Sequence, residues 1–175
     1  MTEFVLVKPS SDYAEQISLY RREFLDIGDS MDGCGSLRYM ENPYDFIEKC
    51  KAYEHHETLP EGRVIATQFM YIREADKRIV GMIQVRHYLN EYLSKFGGHI
   101  GYSVRPTERL QGYAKNMLAA VLPYCKEIGL ESVLITCNED NTGSEKTILA
   151  NGGVYESTVY EPEEGVNLKR FWIKL

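Results

Sequence analysis

The sequence predicts an α/β fold, an α+β mixed sheet that is mostly antiparallel and carries helices on both faces, in a single domain over residues 1–175. Three observations predict it. Segments with strand composition alternate with segments of helical period along the whole chain. Residues 98–150 run strand, helix, strand, helix, the pattern of a crossover unit. Hairpin patterns flank that unit on both sides, at 63–88 and 154–174.

Residues 4–8 (Phe-Val-Leu-Val-Lys) read as a short strand. Asp12 followed by Glu15 is a helix-start pattern. Ile17, Tyr20, Phe24 and Ile27 then recur at helical spacing until Gly28. Residues 29–42, interrupted by Gly33 and Gly35, lack a period and read as a loop. Pro43 suits the first turn of a second helix through Ile47 and Cys50.

Residues 63–72 and 78–88 are rich in β-branched and aromatic side chains, and Glu74-Ala75-Asp76-Lys77 between them predicts a hairpin. Residues 98–104 form the next strand. The following helix, about 112–128, is expected to bury Met117, Leu118, Val121, Leu122, Cys125 and Ile128, with Pro123 inside it and Gly129 as its cap. Val133-Leu134-Ile135 reads as a strand covered on both faces. Thr142 and Glu145 have capping-box spacing for a short helix that ends at Asn151-Gly152-Gly153. A terminal hairpin turns at Pro162-Glu163-Glu164-Gly165.

Composition excludes several function classes. The 175 residues are 43% hydrophobic with a net charge of −6, and there is no Lys/Arg cluster, so no nucleic-acid partner is expected. No apolar run is long enough to cross a bilayer, and residues 1–16 lack the charge-then-apolar pattern of a secretory signal. The four cysteines, Cys34, Cys50, Cys125 and Cys137, are scattered without a CxxC, as in reduced thiols of a cytoplasmic protein, and no metal site is expected.

Chemistry concentrates in GYSVRPTERLQGYAKNML, residues 101–118. A strand stops at Val104, an Arg-Pro pair follows, and Arg109, Gly112 and Ala114 lead into a helix. Unpaired N–H groups and the helix dipole make such a junction an anion site, most often for phosphate. Gly112 lets an anion approach the backbone, and Arg109 adds a charge-assisted donor. The same residues also make ordinary strand–turn–helix punctuation. Neither GxxxxGK[ST] nor a dinucleotide fingerprint is present: Gly143-Ser144-Glu145-Lys146-Thr147 lacks the first glycine, and Gly33-Cys34-Gly35 lacks the third.

Arg109-Leu110-Gln111-Gly112-Tyr113-Ala114 resembles the Q/R-x-x-G-x-G/A signature of the GNAT superfamily of acyl-CoA-dependent N-acyltransferases. The resemblance extends to the preceding strand, Gly98 to Val104. It continues through Val133–Cys137 and the Asn138, Asn141, Ser144 spacing, which is similar to the family's N-x-x-N-x-x-[AS] run. It covers most of the chain and is strongest over 98–154. It implies acetyl-CoA as cosubstrate and no metal. It implies a pyrophosphate cradle at Arg109, Leu110, Gln111, Gly112, Tyr113 and Ala114. It also implies a pantetheine arm running between splayed strands, paired with the backbone of Tyr102, Ser103 and Val104 and held by Asn138, Asn141 or Ser144. The Val104 N–H is expected to polarise the thioester carbonyl. Each Asn also has an alternative reading as a cap or turn residue.

The implied reaction is direct acetyl transfer to the primary amine of a small molecule or aminoacyl group. The acid that some family members carry early on this strand falls at Gly98, so His99 is the candidate base, read alternatively as a structural strand histidine. His87 and Glu91 are weaker candidates. The tyrosine that often protonates the leaving thiolate corresponds to Ile148; Tyr113 and Tyr155 are nearby but also read as packed aromatics. Tyr39, Met40, Tyr44, Phe46 and Tyr53 are candidates for an acceptor pocket or for packing. Glu54-His55-His56-Glu57 reads as a solvated helix end, and Glu161, Glu163 and Glu164 as solvation of the last turn. The terminal hairpin leaves an edge strand on which two copies could pair as a homodimer. A non-catalytic acyl-CoA-binding domain and a plain α/β interaction module are the alternatives.

Overall fold

A computed structural model describes residues 2–175. Its elements are β1 (Phe4–Val7), α1 (Ala14–Asp26), α2 (Pro43–Ala52), β2 (Ala66–Arg73), β3 (Arg78–Arg86), β4 (Ile100–Val104), α3 (Tyr113–Glu127), β5 (Ser132–Asn138), α4 (Thr142–Ala150), β6 (Val154–Glu161) and β7 (Val166–Lys174). The mixed α/β fold is as the sequence predicts. The sheet comes in two antiparallel pieces, ordered β1-β2-β3-β4 and β5-β7-β6. They meet where β4 approaches β5, and that junction positions the site.

Helices cover both faces because each buries one stripe. Ile17, Tyr20 and Phe24 of α1, with Phe46 and Ile47 of α2, pack on Met70, Ile72, Ile79 and Met82 of β2 and β3. On the other face Met117, Leu118, Val121 and Cys125 of α3 pack on Val80, Ile83, Val85, Val133 and Ile135. Each such side chain contributes about 2 kcal/mol by leaving water. Ile27, expected on the α1 stripe, falls beyond Asp26 and is exposed.

Two helix starts differ from expectation. The chain enters α1 through a 3-10 turn, Ser11–Tyr13, where the Tyr13 N–H bonds the Ser10 carbonyl, so a backbone bond replaces the expected Asp12–Glu15 box. The α4 cap is Asn141, one residue before Thr142, and its side-chain oxygen accepts the Ser144 N–H at 3.0 Å. The end of α1 is as expected: Gly28 is left-handed and the Asp29 N–H bonds Phe24 O, which delivers Asp29 to the mouth of the site.

Candidate active site

The register of β3 on β4 decides which backbone groups face the junction. Gly81 pairs with Val104, and the Arg105 N–H bonds Val80 O. In an antiparallel ladder, residues that bond the neighbour alternate with residues whose N–H and C=O turn away. Residue 105 is bonded to β3, so Ser103 and Gly101 face β3 as well. Tyr102 and Val104 therefore turn their N–H groups toward β5. The Val104 carbonyl already accepts from Arg109 Nε at 3.2 Å, which leaves its N–H as the donor.

Ser103 also lines the cleft, but the alternation turns its backbone groups to β3, and its hydroxyl lies 2.9 Å from the Tyr20 hydroxyl and 3.3 Å from Cys34 Sγ. The strand end is fixed by Arg105, 2% exposed, whose Nε donates to Glu23 Oε1 at 2.7 Å and whose Nη1 donates to Gln16 Oε1.

β4 and β5 are pinned together at a single level. The His99 N–H bonds Leu134 O at 2.7 Å, and the Leu134 N–H bonds His99 Nδ1 at 2.9 Å. At Gly98 φ is +67°, and a Cβ there would lie 2.5 Å from Leu134 O. The close approach excludes any side chain, which explains physically why no acid stands at this position. Beyond the pin the two strands form no ladder. A cleft of about 770 Å³ opens there, lined by Tyr102, Val104, Cys137, Asn138 and Ser144, among others.

His99 is 6% exposed and is not among the cleft-lining residues. Burial, and secondarily the Arg86 charge, push its pKa down to about 4. Its ring meets Trp172 edge-on. A ring that is neutral, buried and bonded at Nδ1 is a strut between strands, contrary to the expectation of a base.

At the other end of the cleft, α3 begins at Tyr113 behind Gly112, which is left-handed (φ 79°) and offers no side chain as a cap. The first N–H groups of α3 have no intrahelical acceptor. Space around a Gly112 Cβ is open, so the demand for glycine at this position is backbone conformation. Leu110 is also left-handed (φ 63°) and wholly exposed. A non-glycine residue in that region costs about 1 kcal/mol, and such strain gathers at ligand sites. Arg109, Leu110, Gly112, Tyr113 and Ala114 line the cleft as expected; Gln111 does not. Arg109 is already engaged, with Nη2 2.7 Å from Asp29 Oδ2 and its guanidinium over the Phe24 ring.

Asn138 and Asn141 both line the cleft; the Asn141 side-chain oxygen is occupied in capping α4, and Asn138 is exposed. The Tyr102 hydroxyl shares a 2.7 Å hydrogen bond with the Ser144 hydroxyl. Burial pushes the Tyr102 pKa well up, so the phenol keeps its proton. Ile148 is fully buried in the α3–α4 core, outside the cleft.

The far wall holds Asp32, Arg86 and Tyr92, which the sequence did not single out, together with Glu161 and Glu164 from the last turn. Glu161, expected only to solvate the turn, is 2% exposed, and its carboxylate accepts the Glu163 and Glu164 N–H groups at 3.0 and 2.6 Å. A carboxylate two and three residues before free N–H groups is a turn-locking pattern that was legible. The loop of Asp32 and Gly33 is fastened by buried Gln68, whose Nε2 donates to Gly33 O at 2.7 Å. Nothing local in the sequence signals that contact. The candidates for an acceptor pocket lie elsewhere: Phe46 is core, Tyr39 and Tyr44 are exposed, and none of the five, Met40 and Tyr53 included, lines the cleft. Among the described residues no cluster of His, Cys, Asp or Glu could hold a metal, and no helix is long and apolar enough to cross a membrane. All four cysteines are free.

Solved structures share this architecture. The chain aligns over 99% of its length with 94% of the ribosomal-protein-S5-alanine acetyltransferase of Vibrio fischeri (TM-score 0.75, 14% identity). It aligns over 99% with 93% of the microcin C7 self-immunity acetyltransferase MccE, a complex with acetyl-CoA and AMP (0.71, 19%). It aligns over 98% with 81% of Mycobacterium smegmatis RimJ in complex with CoA-disulfide (0.71, 16%). These identities carry the fold alone. No curated protein matches the chain. A family model described as an acetyltransferase (GNAT) domain matches residues 31–154, which span the Asp32 loop, β4, the uncapped start of α3 and the Asn141 cap, and the chain belongs to that family.

Proposed function

We propose that the protein transfers an acetyl group from acetyl-CoA to the primary amine of a small molecule or aminoacyl group, by direct attack and without a metal. One observation carries this reading. The uncapped start of α3, behind left-handed Gly112, opens onto the same cleft toward which the Tyr102 and Val104 N–H groups turn. The first suits a pyrophosphate and the second an amide-bearing arm that ends in a thioester.

The chain's own groups then act as follows. Val104 N–H donates to the thioester carbonyl as negative charge develops on its oxygen. Tyr102 N–H and the Asn138 side chain hold the arm. Arg109 supports the pyrophosphate once it exchanges Asp29 for phosphate. The amine enters from the wall of Asp32, Glu161 and Glu164, where carboxylates favour its ammonium form until a proton is passed to them, directly or through water. The nitrogen–carbon bond forms, the carbon–sulfur bond breaks, and the thiolate takes its proton from water. A thiol's ordinary pKa, about 8.5, lies well below that of the Tyr102 phenol, so the phenol donates a hydrogen bond and keeps its proton. His99 serves as a strut. The reading includes a cytoplasmic location, consistent with the free thiols. It also includes pairing of two copies along β6, whose Val154, Tyr155 and Tyr160 are exposed.

A second reading, a non-catalytic acyl-CoA-binding domain, is favoured by Gly98 and by buried Ile148. Calorimetry with acetyl-CoA, followed by thiol release over an amine panel, separates the two. Saturable binding lost in Gly112→Glu supports the cofactor site, and binding indifferent to that change overturns it. Binding without amine-dependent thiol release overturns the enzyme.

A further inference from the structure

Arg86 stands at the end of β3 and lines the cleft together with Asp32, Glu161 and Glu164, where the amine is proposed to enter. One of its nitrogens, Nη1, donates to the Gly97 and Gly98 carbonyls, each at 3.1 Å. Nη2 sits beside Gly101, 3.7 Å from where a Cβ would be, under the backbone of Gly33. Neither Nη2 nor Nε has a protein acceptor among the described residues. The other arginines around the sheet hold carboxylates: Arg73 and Arg78 with Glu108, Arg105 with Glu23, Arg109 with Asp29, Arg170 with Glu156. Arg86 holds none among the described residues.

A half-buried guanidinium with two carbonyls and no close ion pair, the Asp32 carboxylate acting on it only from a distance, is poorly compensated. Removing charge from water without pairing it is costly. Burial accordingly lowers the Arg86 pKa from its ordinary value. Fastening two carbonyls does not require a planar fork with a free edge. A fork with one open side matches a carboxylate.

The opposite pole is near. Tyr92 lines the same end of the cleft, and after burial the carboxylates of Glu161, Glu164 and Glu163 push its phenol pKa up while Arg86 pulls it down. One ring thus feels both a cation and a cluster of anions, and Asp32, which lines the same cleft, adds a further carboxylate. Gly101 lies three residues from Val104, roughly 10 Å along the strand. An amine beside the thioester and a carboxylate on Arg86 span that distance once their own contact distances are counted.

We propose that Arg86 binds the carboxylate of a zwitterionic acceptor, so that the amine acetylated in this cleft belongs to a free amino acid. The assignment rests on the acetyltransferase reading above and narrows its substrate class. Spermidine, a cation throughout, has no group for Arg86. An amino-acid amide has the amine without the anion.

The test uses the full chain saturated with CoA. Calorimetry reads the binding of free amino acids, of their C-terminal amides and of spermidine, and thiol release from acetyl-CoA reads turnover with the same panel. Wild type is expected to favour at least one free amino acid over its amide by about tenfold or more, a charge-assisted bidentate pair against a neutral contact. Arg86→Gln, which can still donate to Gly97 and Gly98, is expected to bring that ratio close to one. Arg86→Lys, which keeps the charge without the fork, should retain part of the preference, and acetyl-CoA binding with a thermal melt monitors folding of both variants. Amides or spermidine bound as well as free amino acids by wild type overturn the proposal. So does a preference that survives Arg86→Gln, and so does the absence of binding by any free amino acid. Carboxylate-dependent binding without thiol release leaves the Arg86 assignment standing and sinks the enzyme reading instead.

Discussion

His99 and Leu134 are joined by two hydrogen bonds, His99 N–H to Leu134 O at 2.7 Å and Leu134 N–H to His99 Nδ1 at 2.9 Å. This pair fastens β4 to β5 at one level and leaves the strands to part beyond it. Acetyl-group chemistry, as proposed, happens in the part that opens.

If His99 is a strut, its loss acts on stability before catalysis. His99→Ala leaves the Leu134 N–H buried without an acceptor, which costs about 1–3 kcal/mol. Urea denaturation is expected to show that loss. The neutral limb of the pH–rate profile, once an acceptor is in hand, is expected to stay in place; a shifted limb restores His99 as the base.

The same histidine makes stability depend on pH. Its folded pKa is about 4 against an ordinary 6.5. Between those values the unfolded chain binds more protons than the folded one. Stability is therefore full above pH 6.5 and falls as pH drops toward 4, by at most about 3 kcal/mol from this group. His87, also lowered by burial, adds the same sign. The readout is the difference between wild type and His99→Gln, which is expected to lose the part due to His99.

At Gly98 both the left-handed backbone and the 2.5 Å approach to Leu134 O forbid a side chain. Gly98→Ala is expected to destabilise by about 2 kcal/mol or more, because the pin itself must move. A thermal melt indistinguishable from wild type rules out steric exclusion as the reason no acid stands at residue 98.

Arg109 is divided between Asp29 and the cleft. The pair is exposed on both sides and is worth only about 1 kcal/mol or less. Asp29→Asn frees the guanidinium and is expected to tighten acetyl-CoA binding by about two- to fivefold, while Arg109→Gln loosens it by about tenfold. Calorimetry on both variants reads the two signs; equal weakening by both denies Arg109 a part in the cradle.

Arg105, next to Val104, is held by Glu23, whose carboxyl sits below its ordinary pKa through the bonds from Arg105 and Thr107, which outweigh its burial. Glu23→Ala leaves a buried guanidinium short of its anion and is expected to cost about 3 kcal/mol. By the same linkage, Glu23 stabilises above the usual carboxylate range and that contribution is lost as pH falls below it. Denaturation of Glu23→Ala alongside wild type checks the magnitude.

Several features were legible from the chain alone because they depend on neighbours in sequence. Helical period marked the stripes of α1 and α3, and Gly112 with Ala114 behind a strand marked the uncapped start of α3 that is proposed to hold an anion. The tertiary structure decided what depends on register and on contacts between distant segments. The β3–β4 register separates Tyr102 and Val104, whose N–H groups turn toward β5, from Ser103, whose backbone groups turn to β3. The Leu134 contact turns His99 from a candidate base into a strut, and the Asp29 contact occupies Arg109. Folding also brings Asp32, Arg86 and Glu161 to one wall from three segments far apart in the chain. Side-chain period is local and survives in the sequence. Burial and partnership are properties of the folded pair, and no single stretch of residues carries them.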